Sequence, residues 1–344
     1  MNKKILLSGV KPTGRPHIGN YFGAMRQLVD LQDEYQVYAM AVDYHALISV
    51  HDAKTLNQDL LDLAIDYLAI GIDPKKTLLF KQSDVQEHTE LAWIFDCITT
   101  MPFLMEAHAF KASIDPHASL NPHDISLKAK LARAEYAKVN AGLFGYPVLM
   151  AADILMYDVD VVPVGKDNKQ HLEMTREIAR KFNATFKPIF KEPGEMIVSE
   201  VAIVPGTDGR KMSKSYGNTI PLFATYDEIT KAVMSIVTDS KGVDEQKNPD
   251  EDNVFKLHKL FVQGSTLMEI RERYEKGGLG HKESKEILIK NIETFIAPLR
   301  EKRQIIANDT DFVLDVLKEG GKRAKQKAER KMEAVREAIG VKLY

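Results

Sequence analysis

Two short segments hold the residues best suited to phosphate chemistry. Pro16-His17-Ile18-Gly19-Asn20 lies near the start of the chain, and Lys211-Met212-Ser213-Lys214-Ser215 lies two thirds of the way along. The first joins two hydrogen-bond donors, His17 and Asn20, to a glycine with no side chain to hold a ligand away. A strand before it and a helix after it would set the group at a strand's carboxyl end, where parallel sheets take ligands. The opening turn of that helix offers unpaired amides and partial positive charge, which suit a triphosphate. The second segment puts two lysines on a loop flanked by Pro205, Gly206 and Gly217, which predicts a mobile arm. Closed over the β- and γ-phosphates, those ammonium groups would stabilise charge building on departing pyrophosphate. Stabilisation that peaks in the transition state is what raises a rate. Alone, His17 reads as a loop histidine and the lysines as an exposed basic turn. Their order and context favour the phosphate reading.

Two further blocks stand out. The run from Tyr146 to Tyr157 is nearly all apolar and contains one carboxylate, Asp153. Burying it unpaired is costly, so it needs a partner. That partner is a ligand N–H or, more blandly, a helix end. In Pro163-Val164-Gly165-Lys166-Asp167-Asn168 a strand gives way to a helix at the same sheet edge. Asp167 is placed to hold ribose hydroxyls, or to cap the helix.

The elements that must position these groups alternate. Apolar runs at 4–8, 37–42 and 77–80 read as strands, and amphipathic stripes at 18–35 and 56–68 read as helices. After an irregular stretch with Pro116, Pro122 and several histidines, strand-like runs return at 148–153 and 159–164, then a helix over 168–182. Such alternation implies right-handed βαβ crossovers and a parallel sheet. Beyond the lysine loop only helical signals persist, over 226–237, 254–261, 267–275, 282–299 and 305 onward. The expected fold is α/β, a Rossmann-like doubly wound parallel sheet with a C-terminal all-helical domain. Its parts are 1–100 and 146–220 as halves of the nucleotide-binding unit, 101–145 as a connecting insertion, and 221–344 as the helical domain.

Composition narrows the field. With 344 residues and 44% hydrophobic content the chain can bury a large core. A net charge of −2 leaves any nucleic-acid surface to local patches, such as the basic stretch from Gly321 to Lys331. Cys97 is the only cysteine, which excludes an intrachain disulfide and a cysteine-based zinc cluster and fits a reducing cytoplasm. No run approaches the ~20 apolar residues of a membrane span, and the apolar N-terminal run is too short for a signal peptide.

These motifs together resemble the tryptophanyl-tRNA synthetases of class I. Ser8-Gly9-Val10-Lys11-Pro12-Thr13-Gly14 with Ile18-Gly19-Asn20-Tyr21 is similar to that family's first motif. Leu149-Met150-Ala151-Ala152-Asp153-Ile154-Leu155 and the block from Pro163 to His171 resemble it more specifically. The resemblance implies activation of L-tryptophan with Mg²⁺-ATP, transfer to tRNA(Trp), a cytoplasmic homodimer with its interface in the middle region, and neither zinc nor a covalent cofactor. It implies His17, Asn20, Lys211 and Lys214 as catalytic. ATP would meet Lys11, Pro12, Thr13, Gly19, Asn20, Gly165, Lys166, Asp167, Ile203 and Lys211 through Ser215. Tyr146 would face the ammonium, Met150 the ring, and Asp153 the indole N–H. Lys11 and Asn168 depart from the family, where many relatives carry Gln. The rivals are a tyrosyl-tRNA synthetase with the same two motifs, a small-molecule adenylyltransferase, and a synthetase-derived RNA-binding protein.

Overall fold

The protein is described by a computed structural model over residues 3–108, 110–111, 139–165, 169–197 and 204–343. Lys166, Asp167 and Ile203, together with most of the 101–145 stretch, lie outside the described residues. β1 (Ile5–Val10), β2 (Gln36–Ala41), β3 (Leu78–Lys81), β4 (Val161–Val164) and β5 (Gly194–Ile197) make a five-stranded sheet among the described residues. Their order is β3-β2-β1-β4-β5 and each neighbouring pair is parallel. Successive side chains of β1 enter opposite cores: Ile5 and Leu7 pack with Tyr38, Met40 and Phe80, whereas Leu6 packs with Val37, Ala39 and Leu79. A strand buried on both faces reads as an unbroken apolar run, which is why β1 and β2 are visible in the sequence. β5, with Gly194 and Glu195, lacks that signature.

Between β1 and β2 the chain runs through α1 (Ile18–Asn20), a π-helical turn (Tyr21–Met25) and α2 (Arg26–Leu31). α3 (Asp43–Ala46) follows β2, and α4 (Ala53–Ile70) leads to β3. The Asp52 carboxylate accepts from Thr55 N–H at 2.7 Å to open α4. Gly71, at φ 114°, closes it in a conformation that favours glycine. α5 (Glu87–Asp96), α6 (Met101–Met105), α7 (Ala141–Leu155) and α8 (Lys169–Thr185) complete the wrapping.

α7 corrects the expectation of a strand over 148–153. The segment is helical, with Asn140 accepting from Leu143 N–H at 2.8 Å as its cap. An unbroken apolar run fits a buried helix as well as a strand, and periodicity cannot separate the two.

The remainder is α9 (Tyr226–Met234), α10 (Asn253–Phe261), α11 (Gly264–Lys276), α12 (His281–Ala307) and α13 (Thr310–Ala338). α12 packs on α4, whereas α13 returns to the sheet and lies across β3. Val313 and Leu317 of α13 join the core on one face; Ala324, Ala328, Met332 and Val335 join the other. The helix changes faces at Gly320-Gly321. A Cβ on Gly320 would sit 2.0 Å from the Leu79 carbonyl oxygen. The helix thereby covers the exposed side of an edge strand. Among the described residues, no helix is long and apolar enough to cross a membrane.

Candidate active site

The strand order reverses direction between β1 and β4, and a crevice opens beyond their carboxyl ends. A cavity of about 390 Å³ occupies it. Its walls come from Leu7 to Gly9 and Lys11 after β1, Met40 and Val42 at the end of β2, and Val162 to Val164 of β4. α7 supplies Tyr146, Met150 and Asp153. These three are spaced i, i+4 and i+7, so they share one helical face.

Asp153 is 2% exposed. Gln82 donates to both carboxylate oxygens, at 2.8 and 2.9 Å, and His45 Nε2 lies 2.9 Å from Oδ2. His88 Nδ1 contacts Oδ1, and its other nitrogen lies 2.6 Å from the Tyr157 hydroxyl. Burial alone would raise the Asp153 pKa, yet the contacts with His88 and His45 outweigh it and hold the carboxyl below its ordinary value. Nearer the mouth, the Tyr146 hydroxyl is hydrogen-bonded to His171 Nε2. Burial pushes the Tyr146 phenol up to about 12, so it keeps its proton.

Beyond β1, in the loop that continues from Lys11, the histidine-bearing and lysine-bearing motifs meet. His17 caps α1: its Nδ1 accepts from Asn20 N–H at 3.3 Å, and the Asn20 side-chain oxygen accepts from His17 N–H at 3.1 Å. With Nδ1 an acceptor, Nε2 carries the hydrogen and is the donor left for a ligand. Burial, with a smaller contribution from Lys214, lowers the His17 pKa to about 4. Ile18 N–H is taken by the Ile220 carbonyl at 3.0 Å, and Leu222 N–H by that of Pro16 at 2.9 Å. The expected row of open amides at this helix start is thus partly occupied. Gly19 keeps its space for a local reason: a Cβ there would lie 2.9 Å from His17 Nδ1 and 3.4 Å from Met212 Cβ.

The lysine loop is pinned at its base. Met212 is buried in the core, and Asn218 accepts from Ser213 N–H at 2.8 Å while donating to Asp208 at 2.7 Å. Gly209 and Gly217, at φ 82° and 64°, make its two turns. From this base Lys214 reaches across to the first motif and donates to the Thr13 and Gly14 carbonyls at 2.6 and 3.0 Å. Arg15, two residues on from Thr13, pairs with Glu228 of α9 at 2.8 Å and ties the same loop to the helical region.

The structure therefore brings His17, Asn20, Gly19, Thr13 and Lys214 to one edge and Tyr146, Met150 and Asp153 to the adjoining cavity, with Lys11 lining it between them. Sequence reasoning missed His45, Gln82 and His88 as partners of Asp153, and Tyr157 as the partner of His88. The available signal was position: His45 and Gln82 follow the carboxyl ends of β2 and β3, the ligand-binding edge of such sheets.

Comparison with known proteins agrees with this geometry. Residues 2–297 match the family of class I tRNA synthetases (W and Y). The chain is 46% identical over 336 residues to a tryptophan–tRNA ligase of Fusobacterium nucleatum, covering 97% of each chain. It is 42% identical to that of Rhodopirellula baltica, over 98% of this chain and 99% of the relative. The crystal structure of tryptophanyl-tRNA synthetase from Campylobacter jejuni complexed with ADP and tryptophan superposes with TM-score 0.87 at 40% identity, covering 98% and 99%. A tyrosyl-tRNA synthetase of Archaeoglobus fulgidus, 18% identical, shares the fold with TM-score 0.63. On motif, cavity and full-length similarity alike, the chain belongs to the class I tRNA synthetases, in their tryptophanyl branch.

Proposed function

We propose that this chain is an ATP-dependent tryptophan–tRNA ligase: it converts L-tryptophan and ATP to tryptophanyl-adenylate and pyrophosphate, then passes tryptophan to tRNA(Trp). The observation that carries the reading is Asp153, a carboxylate held below its ordinary pKa on the floor of an otherwise largely apolar cavity. His88 and His45 each hold one carboxylate oxygen while Gln82 is shared between both, so an indole N–H is accepted in place of one arm of that shared bond. A site built to hydrogen-bond its substrate rejects analogues that lack the group by roughly 10⁴–10⁵. Met150 borders the ring, and Tyr146 meets the ammonium.

The nucleophile is the substrate's own carboxylate. Its oxygen bonds to the α-phosphorus as the bond to the β-phosphate oxygen breaks, and the electrons leave on pyrophosphate. His17 Nε2–H and the ammonium groups of Lys211 and Lys214 offset that charge, Lys214 after leaving the Thr13 and Gly14 carbonyls. ATP arrives as its Mg²⁺ complex, the ion riding on the phosphates. Lys11, Pro12, Thr13, Gly165, Lys166, Asp167 and Ile203 frame the nucleotide.

The helical part reads tRNA, with exposed Lys322, Arg323 and Arg330 of α13 suited to its backbone. Exposed Trp93, Met101 and Leu47 support a homodimer that covers them, and the work is cytoplasmic. A charging assay with labelled tryptophan, ATP and tRNA tests the reading through acid-precipitable label and one AMP per tryptophan attached. A free adenylated metabolite made without any amino acid would support an adenylyltransferase instead. tRNA binding without pyrophosphate exchange for any amino acid would support an RNA-binding regulator.

A further inference from the structure

Asp153 and His45 line the cavity, whereas His88 and Tyr157 stand behind it and are fully buried. His88 comes from α5 and Tyr157 follows the end of α7, so the contact between them fixes the register of two packed helices. Tyr157 is walled in by Tyr38 and Phe80, ring centroids 5.1 and 5.8 Å away. Its pKa is raised well above its ordinary value, first by burial and then by Asp153. It therefore keeps its proton and donates it to His88 Nε2. That leaves His88 Nδ1 to carry the hydrogen that points at Asp153 Oδ1. Buried polar chains of this kind are strong only when every member is satisfied, and here each is.

We propose that His88, oriented by Tyr157, is a positioning residue for tryptophan specificity. It holds the Asp153 carboxylate charged and turned so that one arm of the shared Gln82 bond can yield to the substrate's ring N–H, without itself touching substrate. This rests on the reading of Asp153 as the indole acceptor.

The test compares L-tryptophan with its benzothiophene analogue, in which sulfur replaces the ring N–H. The readout is kcat/KM for each in ATP–pyrophosphate exchange. His88→Leu is expected to cut the preference for tryptophan by about tenfold or more, chiefly through the tryptophan KM, with the ATP KM unchanged. The analogue, which makes no such hydrogen bond, loses little. His88→Asn places an amide N–H near the position of Nδ1 and restores most of the preference. Tyr157→Phe shifts it in the same direction as His88→Leu, by less, and carries the test if the leucine variant does not fold. Equal losses for both substrates, or an asparagine variant no better than leucine, would overturn the proposal. Asp153→Ala, which leaves no side-chain acceptor at this position, separates the two layers. If it leaves the preference intact, the acceptor reading itself falls. If it abolishes the preference while His88→Leu and Tyr157→Phe do not, only the role of His88 falls.

Discussion

Lys214 and Thr13 are 201 residues apart in sequence, yet the lysine ammonium donates to the Thr13 carbonyl at 2.6 Å. The chain closes this gap with a backbone splice: Ile18 and Leu222 exchange hydrogen bonds with Ile220 and Pro16, so the strand-to-helix turn and the lysine loop form one edge. Lys214 thus satisfies two backbone carbonyls of the first motif, Thr13 and Gly14.

Lys214→Ala should therefore act on the chemical step. Loss of a charge-stabilising donor in an active site costs roughly 2.7–4 kcal/mol, or about 10²–10³ in kcat. Steady-state exchange at saturating ATP and tryptophan measures it. A change confined to the ATP KM would assign Lys214 to ground-state binding only.

His17 should titrate far below an ordinary histidine. Its pKa is lowered to about 4, first by burial and then by Lys214. Because the folded value lies under the unfolded one, protonation opposes the fold, and stability falls as pH drops from about 6.5 towards 4. Carbon-13 NMR of the His17 ring gives the midpoint directly. In Lys214→Ala the midpoint should rise but stay below 6.5, since burial remains; a midpoint near 6.5 in the parent protein would contradict the buried-cap geometry.

Gly320→Ala should destabilise, against the usual trend. Inside a helix, alanine is normally better than glycine by roughly 0.5–1 kcal/mol. Here the added methyl would meet the Leu79 carbonyl at 2.0 Å, and overpacking of this kind typically costs about 1–3 kcal/mol. Denaturant melts of the two proteins decide the sign. A stabilised variant would mean that α13 does not cross β3 at this glycine.

Trp93→Glu should separate the proposed dimer. Trp93, the chain's only tryptophan, is 69% exposed, and Met101 and Leu47 are exposed as well. Sedimentation equilibrium should give a dimer for the parent and a monomer for the variant, with unchanged helical circular dichroism. A parent protein that sediments as a monomer would remove this face from the assembly.

What the sequence made legible follows from how local each feature is. His17, Gly19 and the lysine loop are spelled in contiguous residues, and β1, β2 and α4 carry their periodicity openly. Asp153 stands out because a lone carboxylate in an apolar run must be partnered. Its partners do not, since His45, Gln82 and His88 lie 65 to 108 residues away and are brought together only by strand order. α7 was hidden because a run that is apolar on nearly every face erases helical periodicity. The return of α13 to the sheet was hidden because Gly320-Gly321 looks like a helix defect until the edge strand beneath it is known.

The account turns on tryptophan and ATP meeting between Asp153 and the joined motifs. ATP–pyrophosphate exchange by the purified protein, with tryptophan and with tyrosine in parallel, tests it most directly. Exchange should depend on tryptophan, with tyrosine giving no more than background; exchange driven by tyrosine, or none with tryptophan, would contradict it.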